Sequence, residues 1–399
     1  MSAFVLSKTR LDPFAMASQT ANESRAHNEY TVGWVCALPK EQTAAIAMLD
    51  QRYADLRKSP NDHNIYTLGS IGRHNIVIAC LPKGKIGTNS AATVVTQMVD
   101  TFPSIKFGVM VGIGGGIPPD VRLGDVVVSS PVDQFPGVVQ WDIGKAEEGG
   151  FKRTGALNSP PRVLLAALGK VETEHELNGS KIPEYLNDMT KKWPKLPPKY
   201  TRSDSLKDIL FAPDNPHRSQ SKWQSMFMIA WKTTLAFFLF LFGWWAVAPT
   251  EHVTEQVTSP IVVDIGQNSS VGADDKEDCR FCNMAKVIKR QPREIRVHCG
   301  LIASGNQVIK NAKFRDELNK SLGGNILCVE MEAAGLMDNF PCIIIRGICD
   351  YADSHKNKDW QEYAAAVAAA FAKELLSVVP PQEVEQMPAA IKSNRPSFS

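Results

Sequence analysis

The sequence predicts an α/β fold, a three-layer α/β/α sandwich around a mixed central sheet. Two observations carry this prediction. Short β-branched or apolar runs alternate with segments of helical spacing at both ends of the chain, the pattern of helices layered on a sheet. Two of these runs, 326–329 and 342–348, lead directly into acids, Glu330 with Glu332 and then Asp350. An acid at the mouth of a buried strand loses solvation, so it needs a partner or a chemical role.

Residues 30–37 read as a strand ended by Pro39-Lys40-Glu41. Residues 64–71 and 74–81 read as paired strands about a turn at Gly72-Arg73. Helical spacing over 88–101 puts Ala91, Val94, Val95, Met98 and Val99 on one face. A buried strand at 107–113 runs into an expected turn at Gly114-Gly115-Gly116, and Leu123-Gly124-Asp125 launches a strand at 126–130. A helix is expected over 161–171. Residues 180–225, rich in Lys, Pro and Ser, read as a surface excursion. Strands at 297–304, 326–329 and 342–348 then alternate with helices at 309–318, 330–338 and 360–378.

The domain reading is a flexible leader at 1–29, a first half-domain at 30–216, an apolar insertion at 217–275, a second half-domain at 276–379 and a disordered, Pro-rich tail at 380–399. The leader has no apolar core of signal-peptide length.

The chain has 399 residues, 44% hydrophobic and 22% charged, with a net charge of +2. That balance gives no electrostatic reason to expect nucleic acid as a partner. The eight cysteines are too few for a disulfide framework in a chain this long. Cys36, Cys80, Cys299, Cys328, Cys342 and Cys349 sit in or beside apolar runs and read as buried free thiols in a reducing compartment, so a cytoplasmic, intracellular location is expected. Cys279 and Cys282 form a lone C-x-x-C. Zinc would need two further ligands, and none stands nearby in sequence. No metal and no cofactor are expected.

Residues 226–248 are apolar except for Lys232, with Trp231, Trp244 and Trp245 near the ends. The stretch has the length and flanks of a membrane span. A single crossing would put the glycine-rich half of the domain and the acids Glu332 and Asp350 on opposite sides of a membrane. Three readings stay open: a buried or interfacial insertion, an anchor in a broken domain, or sequence foreign to the working protein such as a retained intron. The third is favoured, because the flanking segments resume one pattern. Membrane contact is correspondingly not favoured.

Glu41, Glu332 and Asp350 taken singly have ordinary structural explanations as helix-end acids or caps. Together with Gly112–Gly116 they each follow a predicted strand, where clefts of α/β sheets form. The glycine run is neither a dinucleotide fingerprint, since Ile117 stands at the third glycine position, nor a phosphate loop, since no Gly-Lys-Ser/Thr follows.

Six motifs occur in order: GWVCALPKE at 33–41, VGIGGG at 111–116, LGDVVVS at 123–129, GLIASG at 300–305, VEMEAA at 329–334 and RGICD at 346–350. This set resembles the nucleoside phosphorylase/nucleosidase superfamily. It is similar to its fungal effector-type members, in which such a domain precedes NACHT or repeat regions, and to the methylthioadenosine/S-adenosylhomocysteine nucleosidases. The resemblance implies a phosphorylase/hydrolase-like sandwich, a small-molecule nucleoside substrate and a homo-oligomer. It implies that Glu41 activates water and that Asp350 protonates the departing purine. It also implies a substrate-binding set of Glu332 and Met331 at the ribose, Val308 and Ile309 at the base, and Glu330, Ile113 and Gly114.

Those residue types suit the chemistry. Cleaving an N-glycosidic bond leaves a purine anion unless an acid protonates it, and a second carboxylate must direct water at the oxocarbenium-like sugar. No arginine precedes the glycine run, where Met110 stands, and none lies between Gly33 and Glu41. Phosphate would lack paired donors there, so a purine nucleosidase acting on adenosine-like nucleosides or nucleotides is favoured. A phosphate-dependent phosphorylase and a non-catalytic nucleoside-binding signalling module are the competing readings. Phe135, Trp141 and Phe151 are further aromatics that either complete a neighbouring subunit's site or belong to the core.

Overall fold

A computed structural model describes residues 25–218 and 279–390. In chain order the strands are β1 (Val32–Cys36), β2 (Gln51–Arg52), β3 (Tyr66–Ile71), β4 (His74–Cys80), β5 (Phe107–Gly116), β6 (Val126–Ser129), β7 (Val138–Gln140), β8 (Gly144–Glu147), β9 (Gly150–Arg153), β10 (Val297–Ser304), β11 (Ile326–Glu330) and β12 (Cys342–Asp350). The helices are α1 (Pro39–Met48), α2 (Thr88–Thr101), α3 (Arg162–Asn178), α4 (Ile182–Lys192), α5 (Pro197–Tyr200), α6 (Ala312–Ser321), α7 (Ala334–Met337), α8 (Gln361–Val378) and α9 (Pro381–Gln386).

One mixed sheet runs in the order β11-β10-β6-β12-β5-β1-β4-β3-β2, with β7 added beside β10. Its centre is parallel: β4, β1, β5 and β12 all point the same way. Apolar runs of this kind are buried on both faces, and alternate residues supply the two cores. Val32, Trp34, Ile76, Ile78, Val109 and Ile345 pack with α1, α3, α4 and α8. Val35, Val77, Met110 and Ile344 pack with α2 and α7 on the other side. The three-layer expectation is therefore met. The sheet also curls, because the end of β11 meets the end of β5 antiparallel, Cys328 opposite Gly116 and Val329 opposite Gly115. That curl brings the C-terminal ends of β1, β5, β11 and β12 to one place.

Several expectations need correction. The glycines 114–116 are not a turn but the last residues of β5, held extended by β12 and β11 on either side. The helix expected over 330–338 shrinks to Ala334–Met337, because Glu330 still belongs to β11. Residues 180–225 are not merely a surface excursion as far as they are described: α4 buries Ile182 and Met189, and Tyr200 and Leu206 join the same core. The tail from 380 is ordered to Ala390. Pro381 opens α9, Val384 is buried, and Ala390 N–H donates to Ile105 O at 2.8 Å. The leader's last residues are also placed, with His27 lying against Phe102 at 5.4 Å. The remaining leader (1–24), residues 219–278 with the apolar block 226–248, and residues 391–399 lie outside the described residues. Among the described residues no helix is long and apolar enough to cross a membrane.

Helix α8 fixes the centre of its layer. Its alanines at 364–366, 368–370 and 372 are buried, and small side chains let it settle directly on β12. A Cβ at Gly347 would lie 1.9 Å from the Ala364 carbonyl oxygen, so that position admits only glycine unless helix and sheet separate. Gly347→Ala is expected to lower stability by about 1–3 kcal/mol, the usual range for overpacking. An unchanged midpoint in urea unfolding would contradict this contact.

Candidate active site

The chain leaving β1 turns at Leu38 and enters α1, with Pro39 at its first position. This directs Glu41 back over the end of the sheet. Its Oε2 accepts from the N–H groups of Ala37 at 2.7 Å and Leu38 at 2.9 Å, and its Oε1 accepts from Ile113 N–H at 2.8 Å. One side chain thus ties the end of β1 to β5. The approach requires a glycine. A Cβ at Gly112 would lie 2.5 Å from Glu41 Oε1 and 2.4 Å from Arg346 Nη1. Burial pushes the Glu41 carboxyl up, opposed by Arg346 and the three N–H donors.

Arg346 lies opposite Gly112 in the β5–β12 register and is 1% exposed. Its guanidinium forms an ion pair with Glu330 and lies 3.5 Å from Glu332 Oε2. Burial alone would disfavour its charge, but Glu330, Glu332 and Glu41 outweigh that and hold it protonated. Glu330 also accepts from the N–H groups of Glu332 at 3.1 Å and Ala333 at 3.0 Å. These bonds shape the tight step from β11 into α7. The Glu332 carboxylate accepts from Gly87 N–H at 3.3 Å. Burial pushes Glu332 up to about 7, against the pull of Arg346 and with help from the neighbouring Glu330 and Glu41.

Asp350 closes β12 and is 4% exposed. Its Oδ1 accepts from Ala352 N–H at 2.9 Å, its Oδ2 lies 3.0 Å from Lys356 Nζ, and the Cys349 thiol donates to Oδ2 at 3.1 Å. Burial works against the Lys356 charge, but Asp350 outweighs it and holds the ammonium up.

Glu41, Glu332 and Asp350 line one cleft of about 220 Å³. The residues named from sequence all reach it: Ile113 and Gly114 from β5, Glu330 and Met331 at the end of β11, Val308 and Ile309 from the loop before α6. Val308 is 51% exposed, whereas Ile309 is buried. Glu330 faces Arg346 and backbone N–H groups, which commits much of its bonding capacity within the protein. Phe135, Trp141 and Phe151 do not line this cleft. Trp141 is core, edge-on to Phe314 at 5.6 Å. Phe135 lines a separate open groove of about 490 Å³ that no cluster of acids faces, and Phe151 is exposed on β9.

Sequence reading missed Arg346 and Lys356 as parts of the site. A single arginine inside the apolar run CIIIRGICD was the available signal, since a buried cation demands carboxylates. No arginine directly precedes the glycine run along the chain, yet in space Arg346 lies opposite Gly112.

Residues 31–176 and 246–379 match the family model described as the phosphorylase superfamily. The chain belongs to that superfamily. The unmatched stretch contains residues 226–245 of the apolar block. A nucleotide-binding leucine-rich repeat (NLR)-like protein of Hyaloscypha variabilis is 42% identical over 92% of this chain, which spans 31% of that protein. A 5'-methylthioadenosine/S-adenosylhomocysteine nucleosidase of Mycobacterium bovis is 21% identical over 88% of this chain and 97% of its own length. Among solved structures, the corresponding nucleosidase of Helicobacter pylori covers 88% of this chain and 99% of its own, with 16% identity and a TM-score of 0.48.

Glu332 gives this superfamily member a pH signature. Its folded-state pKa stands above the ordinary carboxylate value, so the folded state holds a proton that the unfolded chain has released. Its contribution to stability is complete below about pH 4.5 and is lost as pH rises through about 7. Glu332→Gln is expected to flatten that part of the profile of unfolding midpoint against pH. An unaltered slope would show that Glu332 does not titrate there.

Proposed function

We propose that this chain is a purine nucleosidase that hydrolyses the N-glycosidic bond of adenosine-like nucleosides or nucleotides. The observation that carries the reading is the charge balance of the cleft. Four carboxylates, Glu41, Glu330, Glu332 and Asp350, line it. The nearby cations Arg346 and Lys356 are already ion-paired with Glu330, Glu332 and Asp350.

Asp350 passes a proton to the departing base, taking it from the Lys356 ammonium 3.0 Å away, and the lysine is reprotonated from solvent. Glu41 directs the water. An ionised carboxylate has about four acceptor sites, and the three backbone bonds leave one on Oε1. A buried carboxyl whose proton affinity is raised toward neutral pH is a better base than an ordinary one. Glu332 accepts the ribose hydroxyls, a contact that strengthens as positive charge develops on the sugar. Met331 packs against the ribose, and Val308 with Ile309 flank the base. Glu330 acts by positioning Arg346 and the step into α7.

Among the described residues the cations near the cleft are already ion-paired, so a phosphate dianion would face Glu41 and Glu332 with no further cation to offset them, which favours water over phosphate as nucleophile. The substrate class is supported by the mycobacterial relatives, which are 5'-methylthioadenosine/S-adenosylhomocysteine nucleosidases. Nucleotides are included because a death domain-containing ATP nucleosidase of Amphimedon queenslandica is 33% identical over 101 residues, 23% of this chain. The NLR-like relative favours a second reading, in which the domain serves as the effector segment of a signalling protein.

Incubation with adenosine, 5'-methylthioadenosine or ATP is expected to release adenine equally with and without phosphate. Strict phosphate dependence with ribose 1-phosphate as product would establish a phosphorylase instead. Asp350→Asn is expected to slow base release roughly 10²–10⁴-fold, the usual contribution of a general acid, while nucleoside binding persists in calorimetry. An unchanged rate would remove Asp350 from the chemistry.

A further inference from the structure

The C-x-x-C pair at Cys279 and Cys282 does not stand alone in space. Residues 210–212 and 286–288 run alongside each other, with Phe211 bridged to Val287, Ala212 N–H donating to Lys286 O at 3.0 Å, and Ile288 N–H donating to Leu210 O at 2.8 Å. Asn215 Nδ2 adds a bond to Asn283 O at 3.2 Å. This pairing carries His217 to the cysteines. Cys282 Sγ lies 3.3 Å and Cys279 Sγ 3.8 Å from His217 Nδ1. The cysteines themselves sit on a tight turn closed by Cys282 N–H to Cys279 O at 3.0 Å.

A second histidine arrives from the loop after β12. His217 N–H donates to Ser354 Oγ at 2.8 Å, which brings His355 alongside. Ligand atoms of His217, Cys282 and His355 all lie within 4.8 Å of one another. The His355 side chain is 6% exposed, and its ring stacks on Phe211 at 3.7 Å. Its Nδ1 lies 3.8 Å from Asp353 Oδ2. Its Nε2 is buried and makes no hydrogen bond among the described residues.

We propose that Cys279, Cys282, His217 and His355 bind a structural zinc ion. With Zn–S near 2.3 Å and Zn–N near 2.05 Å, a tetrahedral site places sulfur and nitrogen ligands about 3.6 Å apart, which the two measured sulfur–nitrogen distances bracket. Two thiolates with two imidazoles suit zinc among the common divalent ions. Asp353 beside the His355 ring supplies the outer carboxylate that commonly orients a ligating histidine. His217, Cys282 and His355 form the close set, and Cys279, 3.8 Å from His217 Nδ1, would be the fourth ligand that closes the coordination shell and leaves the ion no open position for catalysis. Its work is mechanical: it fastens residues 217 and 279 to the loop whose next residue, Lys356, pairs with Asp350.

The test uses the full chain, expressed without a histidine tag and purified without chelator, with zinc measured by mass spectrometry. About one equivalent per chain is expected. Cys282→Ser and His355→Ala are expected to lose most of it, and chelation should lower the thermal midpoint of the wild type. Should the variants misfold, Co²⁺ titration of the chelator-treated wild type decides. Tetrahedral d–d bands with thiolate charge transfer, saturating at about one equivalent, support the site. Absence of both zinc and that spectrum, zinc unaffected by a well-folded Cys279→Ser/Cys282→Ser variant, or a Cys279–Cys282 disulfide in the native protein would each overturn it.

Discussion

The buried Arg346 guanidinium is the charge that the rest of the site is arranged around. A cation in the middle of a sheet is tolerable only with carboxylates close by, and breaking such a pair typically costs about 3–5 kcal/mol. Glu330 meets it from the end of β11, Glu332 from the step beyond, and Glu41 from the start of α1. Three acids against one base leave a surplus of negative charge in a water-poor place. Burial raises the proton affinity of Glu332 and Glu41 against the pull of Arg346, and at Glu332 the neighbouring Glu330 and Glu41 add to it. Groups that are poised rather than simply neutralised are the ones able to meet a ligand or move a proton.

Backbone geometry makes this cluster possible. Glycine at 112 leaves room for Glu41 and Arg346 to approach β5 together. The curl that joins β11 to β5 brings Glu330 within reach of β12. Asp350 sits a short distance along the same strand as Arg346, held by its own turn and by Lys356. Acid roles therefore separate by position: Glu41 and Glu332 share the arginine's field, while Asp350 answers to a lysine on a different loop.

Much of this was legible in the sequence. Glu41, Glu332 and Asp350 stood out because each follows an apolar run, and all three reach one cleft. The hairpin about Gly72-Arg73 and the Ala-rich helix also followed from local pattern. The place of Arg346 in the site is not legible in the sequence, because position along the chain does not reveal the cross-strand register that puts it opposite Gly112. The glycines 114–116 read as a turn because glycine favours turns, yet pairing on both sides holds them extended. Helix α4 carries a helical apolar pattern, Ile182 and Met189 buried with Tyr185 and Leu186 packed against the same core, but the Lys- and Pro-rich stretch around it reads as surface.

By itself the sequence determined the elements and the acids, because periodicity, proline and glycine placement and side-chain chemistry act over a few residues. Only the tertiary structure decided which charges meet. Strand register set Arg346 beside Gly112, sheet curl brought β11 to β5, and loop packing set Lys356 on Asp350 and His217 beside the cysteines. Apart from Lys356 on Asp350, those contacts join residues far apart in the chain. Their energy comes from burial and charge pairing that exist only once the sheet has closed around them.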